Sequence, residues 1–140
     1  MRVSSQEGSL SAVTFFIDRS LGRDKVVAEL RAKGALVEPH DSHFPADAPD
    51  QEWLNEVGTR GWIVISKDRR IRHRGAERAA VEDAKVALFI FRGGNMRGDE
   101  IAQAIAAALP RMLHLVQRQA RPFIATISKG GAVKLLDRFR

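Results

Sequence analysis

Residues 62–72 read WIVISKDRRIR. The opening Trp62-Ile63-Val64-Ile65 is apolar throughout, three arginines crowd into Arg69–Arg72, and one carboxylate, Asp68, stands at the join. A short run with no polar alternation is what a strand covered on both faces requires, and such strands belong to parallel sheets with helices on each side. Two more runs share this character, VTFFI at 13–17 and VALFIF at 86–91.

The segments between them read as helices and loops. RDKVVAELRAKG (23–34) spaces Val26, Val27 and Leu30 for one helical face and stops at Gly34. ALVEPH (35–40) reads as a short strand, and DSHFPADAP (41–49) as a loop fixed by Pro45 and Pro49. DQEWLNEVGTRG (50–61) is a short helix with Asp50 placed as its cap. The stretch 68–84 is expected to be helical in its second half, with Gly75 an interruption. The longest helix falls within 98–120, with Asp99 and Glu100 in its first turn, basic residues toward its end, and a kink expected at Pro110. Its alanines offer a small-residue face, suited to close packing in the core or in a homodimer. RPFIATISKGGAVKLLDRF (121–139) accommodates a last strand and a hairpin. Strands alternating with helices give an α/β three-layer sandwich with a mainly parallel central sheet. One domain is expected over 13–140, behind a polar, Ser- and Gly-containing leader at 1–12.

Composition bounds the function. The 140 residues carry 23 Lys and Arg against 17 Asp and Glu, a net charge of +6, which favours a polyanionic partner. There is no cysteine, so neither a disulfide nor a Cys-ligated zinc is available. No apolar run has the length of a membrane span, and the N-terminus does not read as a signal peptide; a soluble cytoplasmic protein is expected.

Ligands of open parallel sheets bind beyond the carboxyl ends of the strands. Asp18 ends the first strand and Asp68 the third, while Asp50 opens the helix that leads back into the third. All three are therefore expected on one rim, where clustered oxygen ligands suit a hard divalent cation such as Mg²⁺. Lys67, Arg69, Arg70 and Arg72, next to this rim, are expected to meet phosphates. Asp is also a favoured cap, so Asp50 and Asp68 have a purely structural reading as well. His40 and His43 flank Asp41 in a spacing that is not a standard zinc pattern. Trp53 and Trp62 read as core residues.

FFIDRSLG and DQEWLNEVGTRGWIVISKD resemble the PIN-like domain, in particular the compact branch of VapC-type toxins from bacterial toxin–antitoxin pairs. The pattern of that family falls on Asp18, Asp50, Gly61, the strand at 62–65, Ser66 and Asp68. The resemblance implies a metal-dependent ribonuclease that uses Mg²⁺ or Mn²⁺, acts on RNA and is paired with an antitoxin protein. It implies Asp18, Asp50 and Asp68 as catalytic metal ligands. The further helical acid usual in the family has no evident counterpart between Asp18 and Asp50; Asp47 and Glu52 are the candidates to add to the ligand set, with Glu38 behind them. The rival expectation is a non-catalytic module of the same fold that binds RNA or protein and whose acids are helix caps.

Overall fold

A computed structural model describes residues 12–22, 24–73 and 75–139; the expected leader lies almost wholly outside them. Six strands form one sheet: β1 (Thr14–Ile17), β2 (Leu36–Pro39), β3 (Ile63–Ser66), β4 (Ala87–Arg92), β5 (Phe123–Ser128) and β6 (Val133–Asp137). Their spatial order is β2-β1-β3-β4-β5-β6. All neighbours are parallel except β5 and β6, which form the expected terminal hairpin. Among the described residues four helices pack on this sheet: α1 (Lys25–Ala32), α2 (Asp50–Thr59), α3 (Gly75–Asp83) and α4 (Gly98–Arg118).

The layers follow from the alternation of side chains along each strand. Phe15, Ile17, Ile63, Ile65, Phe89 and Phe91 point to one face, where Val26, Val27 and Leu30 of α1 and the alanine-rich side of α4 cover them. Phe16, Val64, Leu88 and Ile90 point to the other, under Trp53, Leu54 and Val57 of α2 and Ala80 and Val81 of α3. Both faces are buried, which is why these strands carry no polar alternation. Ala102, Ala104, Ala106 and Ala108 are all buried within the chain, so the small-residue face of α4 serves the core. Helix α4 continues through Pro110.

Gly75 is the first residue of α3 rather than a break inside it. Before it, Arg69–Arg72 form a single 3-10 turn, and Arg19–Leu21 form another after β1. Gly61 ends the turn after α2 at φ +74°, a conformation that L side chains avoid, and the chain then enters β3.

Helices α2 and α3 cross closely at Gly58. A Cβ at this position would stand 2.5 Å from Ala84 Cβ and 2.7 Å from the Ala84 carbonyl oxygen, a backbone atom that cannot simply rotate away. Gly58→Ala should therefore overpack the layer, with a loss of about 1–3 kcal/mol. A thermal melt checks this; an unchanged or higher melting temperature would show that the two helices separate freely.

Candidate active site

The three aspartates singled out in the sequence lie on the carboxyl rim of the parallel sheet. Asp18 directly follows β1, which pairs in register with β3 through Ile17 and Ile65; its own N–H continues the ladder to the Ile65 carbonyl at 3.0 Å. Asp68 lies two residues beyond Ser66, the end of β3. Asp50 is the first residue of α2, the helix that returns to the start of β3.

Asp18 is buried and held by hydroxyls. Ser66 Oγ donates to its Oδ2 at 2.7 Å and Ser20 Oγ to the same atom at 2.9 Å. The two serines also knit the rim together: the Lys67 N–H donates to Ser20 Oγ and the Asp68 N–H to Ser66 Oγ. Ser66 thus orients Asp18 and fixes the backbone that carries Asp68, a reason for a hydroxyl at the end of an otherwise apolar strand. A nucleophilic role for Ser66 has no support in these contacts, since its partners are a carboxylate, a hydroxyl and an N–H.

Asp50 is not a cap. The residue before the helix is Pro49, and Asp50 Oδ1 instead accepts a hydrogen bond from the Trp53 indole at 3.0 Å. Trp53 is 1% exposed, so a core side chain aims this carboxylate. Burial pushes the Asp50 pKa up. The Trp53 bond pulls it down, and the negative charges of Asp18, Asp68 and Glu77 push it up again. Asp18, Asp68 and Glu77 therefore all lie within electrostatic reach of Asp50.

Glu77 was not singled out in the sequence. The candidates for a further acid in the sequence, Glu38, Asp47 and Glu52, all precede Asp68, whereas Glu77 stands in the first turn of α3, beyond it. A helix that follows a parallel strand begins at the same rim where that strand ends, so its first turn was the place to look. Asp47 and Glu52 are exposed, and neither is among the charges acting on Asp50; the Glu38 carboxylate accepts from His43 Nε2 at 2.6 Å.

Asp68 does serve as a cap, since it accepts from the Arg70 N–H at 3.0 Å. The Arg70 side chain also folds onto it, with Nε at 3.0 Å from Oδ1 and one terminal nitrogen at 3.3 Å from Oδ2. This bond, followed by the Asp68 charge and then those of Asp50 and Glu77, raises the Arg70 pKa. The guanidinium is largely exposed, and exposed ion pairs contribute little to stability, so an incoming cation can displace it. Arg69 and Arg72 turn instead toward a separate cavity on the β4–β5 side.

Among the described residues no three His, Cys, Asp or Glu side chains are gathered tightly enough to hold a metal ion as they stand. The chemistry of the set nevertheless fits Mg²⁺ or Mn²⁺. Every donor is a hard carboxylate oxygen, Mg²⁺ commonly takes only one or two carboxylates and keeps its waters, and a cation would relieve the repulsion that bears on Asp50. His40 and His43 do not form a pair: His43 Nε2 meets Glu38, while His40 is 2% exposed among the rings of Phe16, Phe44 and Trp53. Trp53 is core as expected; Trp62 is only partly buried, between the His43 ring and the Arg60 guanidinium.

The raised pKa of Asp50 has a consequence for stability. The folded chain holds this proton more tightly than the unfolded chain does, so ionised Asp50 costs stability above its folded pKa. The cost fades as pH falls through the carboxylate range and is gone below the ordinary value of 3.8. Asp50→Asn, which keeps an acceptor for Trp53, should melt a few degrees higher than wild type at pH 7 in EDTA, with the difference closing toward pH 3. A variant that melts lower, or a difference independent of pH, would contradict this.

Comparison with known proteins agrees with the fold. The chain belongs to the family described as PIN like domain, which matches residues 13–93, more than half of its length. It is also similar to a protein of Mycobacterium tuberculosis (strain ATCC 25618 / H37Rv) that carries the name "Putative ribonuclease VapC45". The two are 32% identical over 128 residues, which cover 86% of this chain and 90% of the relative. No solved structure matches the chain significantly.

Proposed function

We propose that the protein is a metal-dependent endoribonuclease, the toxin of a toxin–antitoxin pair, which hydrolyses RNA phosphodiesters at the rim formed by Asp18, Asp50, Asp68 and Glu77. The observation that carries this reading is the convergence of three negative charges, those of Asp18, Asp68 and Glu77, on Asp50 at the carboxyl edge, in a member of the PIN-like family. The name of the mycobacterial relative supports the ribonuclease activity, and its VapC designation supports a cognate antitoxin as protein partner. Asp18, Asp50 and Asp68 would hold Mg²⁺ or Mn²⁺, with Glu77 as the fourth acid. When bound, the cation supplies an activated water and charge stabilisation for an in-line displacement at phosphorus.

The chain's own residues do the rest. Ser20 and Ser66 fix the Asp18 carboxylate, Trp53 fixes Asp50, and the turn at 69–72 presents arginines to the substrate backbone. Single-stranded or looped RNA fits better than duplex, because a regular duplex hides its base edges. Among the described residues no helix is long and apolar enough to cross a membrane.

The capping of Asp68 favours one rival, a non-catalytic RNA-binding module. Incubation of purified protein with labelled single-stranded RNA separates the two. Cleavage is expected with Mg²⁺ or Mn²⁺, should stop in EDTA, and should return when the cation is restored. RNA bound but intact in every metal would favour the module.

A further inference from the structure

The basic run after β3 divides into two parts. Arg70 closes onto Asp68, whereas Arg69 and Arg72 line a cavity of about 260 Å³ together with His73, Arg92 and Thr126. Strand register puts this cavity on the same rim as the acids. Ser66 pairs with Ile90, so Arg92 lies two residues beyond that pair on β4, just as Asp68 lies two residues beyond it on β3. Ile90 pairs in turn with Thr126 on β5. Neighbouring strands lie about 4.8 Å apart, which puts the cavity roughly 5–10 Å from Asp68 along the rim, on the side away from Asp18.

Three arginines line this one cavity, with little to neutralise them. Among the described residues the guanidinium groups of Arg69, Arg72 and Arg92 donate no hydrogen bond. The carboxylate that feels Arg72, Asp137, is already bridged by Arg78 at 2.7 Å. Like charges around one cavity repel, and an anion seated among them turns that repulsion into attraction. The volume falls below the roughly 300–1,000 Å³ of pockets for drug-sized ligands, so it suits a phosphate with part of its sugar better than a whole nucleotide. A carboxylate offers two coplanar oxygens, for which one arginine fork is enough. Three arginines, a threonine and a histidine brought in by β4, β5 and the turn after β3, beside apolar Ile90 and Leu136, suit oxygens that point in several directions.

We propose that this cavity is a phosphate subsite for the RNA chain, which seats a phosphodiester flanking the one to be cut. It takes its ligand class from the nuclease reading, but the contact itself requires neither metal nor cleavage. The test is therefore made in EDTA: fluorescence anisotropy of a short single-stranded RNA at several salt concentrations, for wild type, Arg92→Gln and Arg118→Gln. Arg118 is exposed at the end of α4 and serves as the control cation. Arg92→Gln should weaken binding several-fold and lower the slope of log affinity against log salt by about 0.7, the value for one phosphate contact on a single strand. Arg118→Gln should do neither.

A second set of RNAs, each with one phosphodiester replaced by a neutral methylphosphonate, locates the seat. One position should weaken wild type and leave Arg92→Gln unaffected. If Arg92→Gln does not fold, the Arg69→Gln/Arg72→Gln double variant gives the same readouts. An unchanged salt slope, with the same methylphosphonate penalty in wild type and variant, would overturn the proposal. So would a loss of affinity for an acidic antitoxin segment with RNA affinity intact, which would make the cavity a protein-binding site. Failure of the nuclease reading has a different signature: wild type that never cleaves in Mg²⁺ or Mn²⁺, whatever the EDTA slopes show.

Discussion

Asp68→Asn should lose RNA cleavage by at least about a hundredfold while its melting temperature stays close to that of wild type. Disturbing even the outer partners of a metal ligand costs about 10–100-fold, and Asp68 is proposed as a ligand itself. The choice of Asn separates the two roles of this residue. As a cap, Asn is as good as Asp, so the bond from the Arg70 N–H survives and the turn at 69–72 holds. As a cation ligand, Asn has lost the charge. Cleavage that persists in Asp68→Asn would reduce Asp68 to a cap. The same variant, expressed in cells, should relieve the growth arrest expected of wild type; equal arrest from both would point to toxicity by sequestration of RNA. Arg70→Ala is the converse experiment. It removes the Arg70 guanidinium, one of the groups that hold this carboxylate, and should tighten metal binding.

Trp53 is the second sensitive position, and its two substitutions should behave differently. Trp53→Ala empties a fully buried site under Phe16 and should cost about 3–5 kcal/mol. That is a large share of the roughly 5–15 kcal/mol that holds an ordinary domain together. Trp53→Phe keeps an aromatic ring in the core but removes the N–H that aims Asp50. It should fold, and lose about 10–100-fold in metal affinity or cleavage, the scale of an orienting partner. Calorimetric unfolding together with Mn²⁺ titration distinguishes the two losses. Full activity in Trp53→Phe would mean that Asp50 needs no such support.

These two residues also show how far the sequence carries. The layers were legible because an apolar run such as VALFIF has one physical explanation at this length, a strand covered on both faces. The rim position of Asp18 and Asp68 followed from the parallel sheet that such strands imply. The functions of individual side chains were harder to read. Asp50 stands in a sequence position typical of a cap, yet its partner is an indole three residues on, a contact set by the rotamers of the packed helix. Glu77 was hidden by an assumption about order along the chain, since contact across the rim depends on where α3 begins and not on its distance from Asp18. The division of RRIR between Asp68 and a cavity follows from the 3-10 turn, whose three residues per turn bring Arg69 and Arg72 to one side and Arg70 to another; an extended reading of the same letters would instead put Arg70 and Arg72 on one face.

The central claim is that the acids at the carboxyl rim form one cation site. Isothermal titration calorimetry of Mn²⁺ into wild type and Asp18→Asn tests it most directly. Asn remains able to accept from Ser20 and Ser66, so the fold around it should persist. The account predicts saturable binding to wild type that is lost, or weakened by at least about tenfold, in the variant. Equal heats from the two proteins, or no binding by folded wild type, would contradict it.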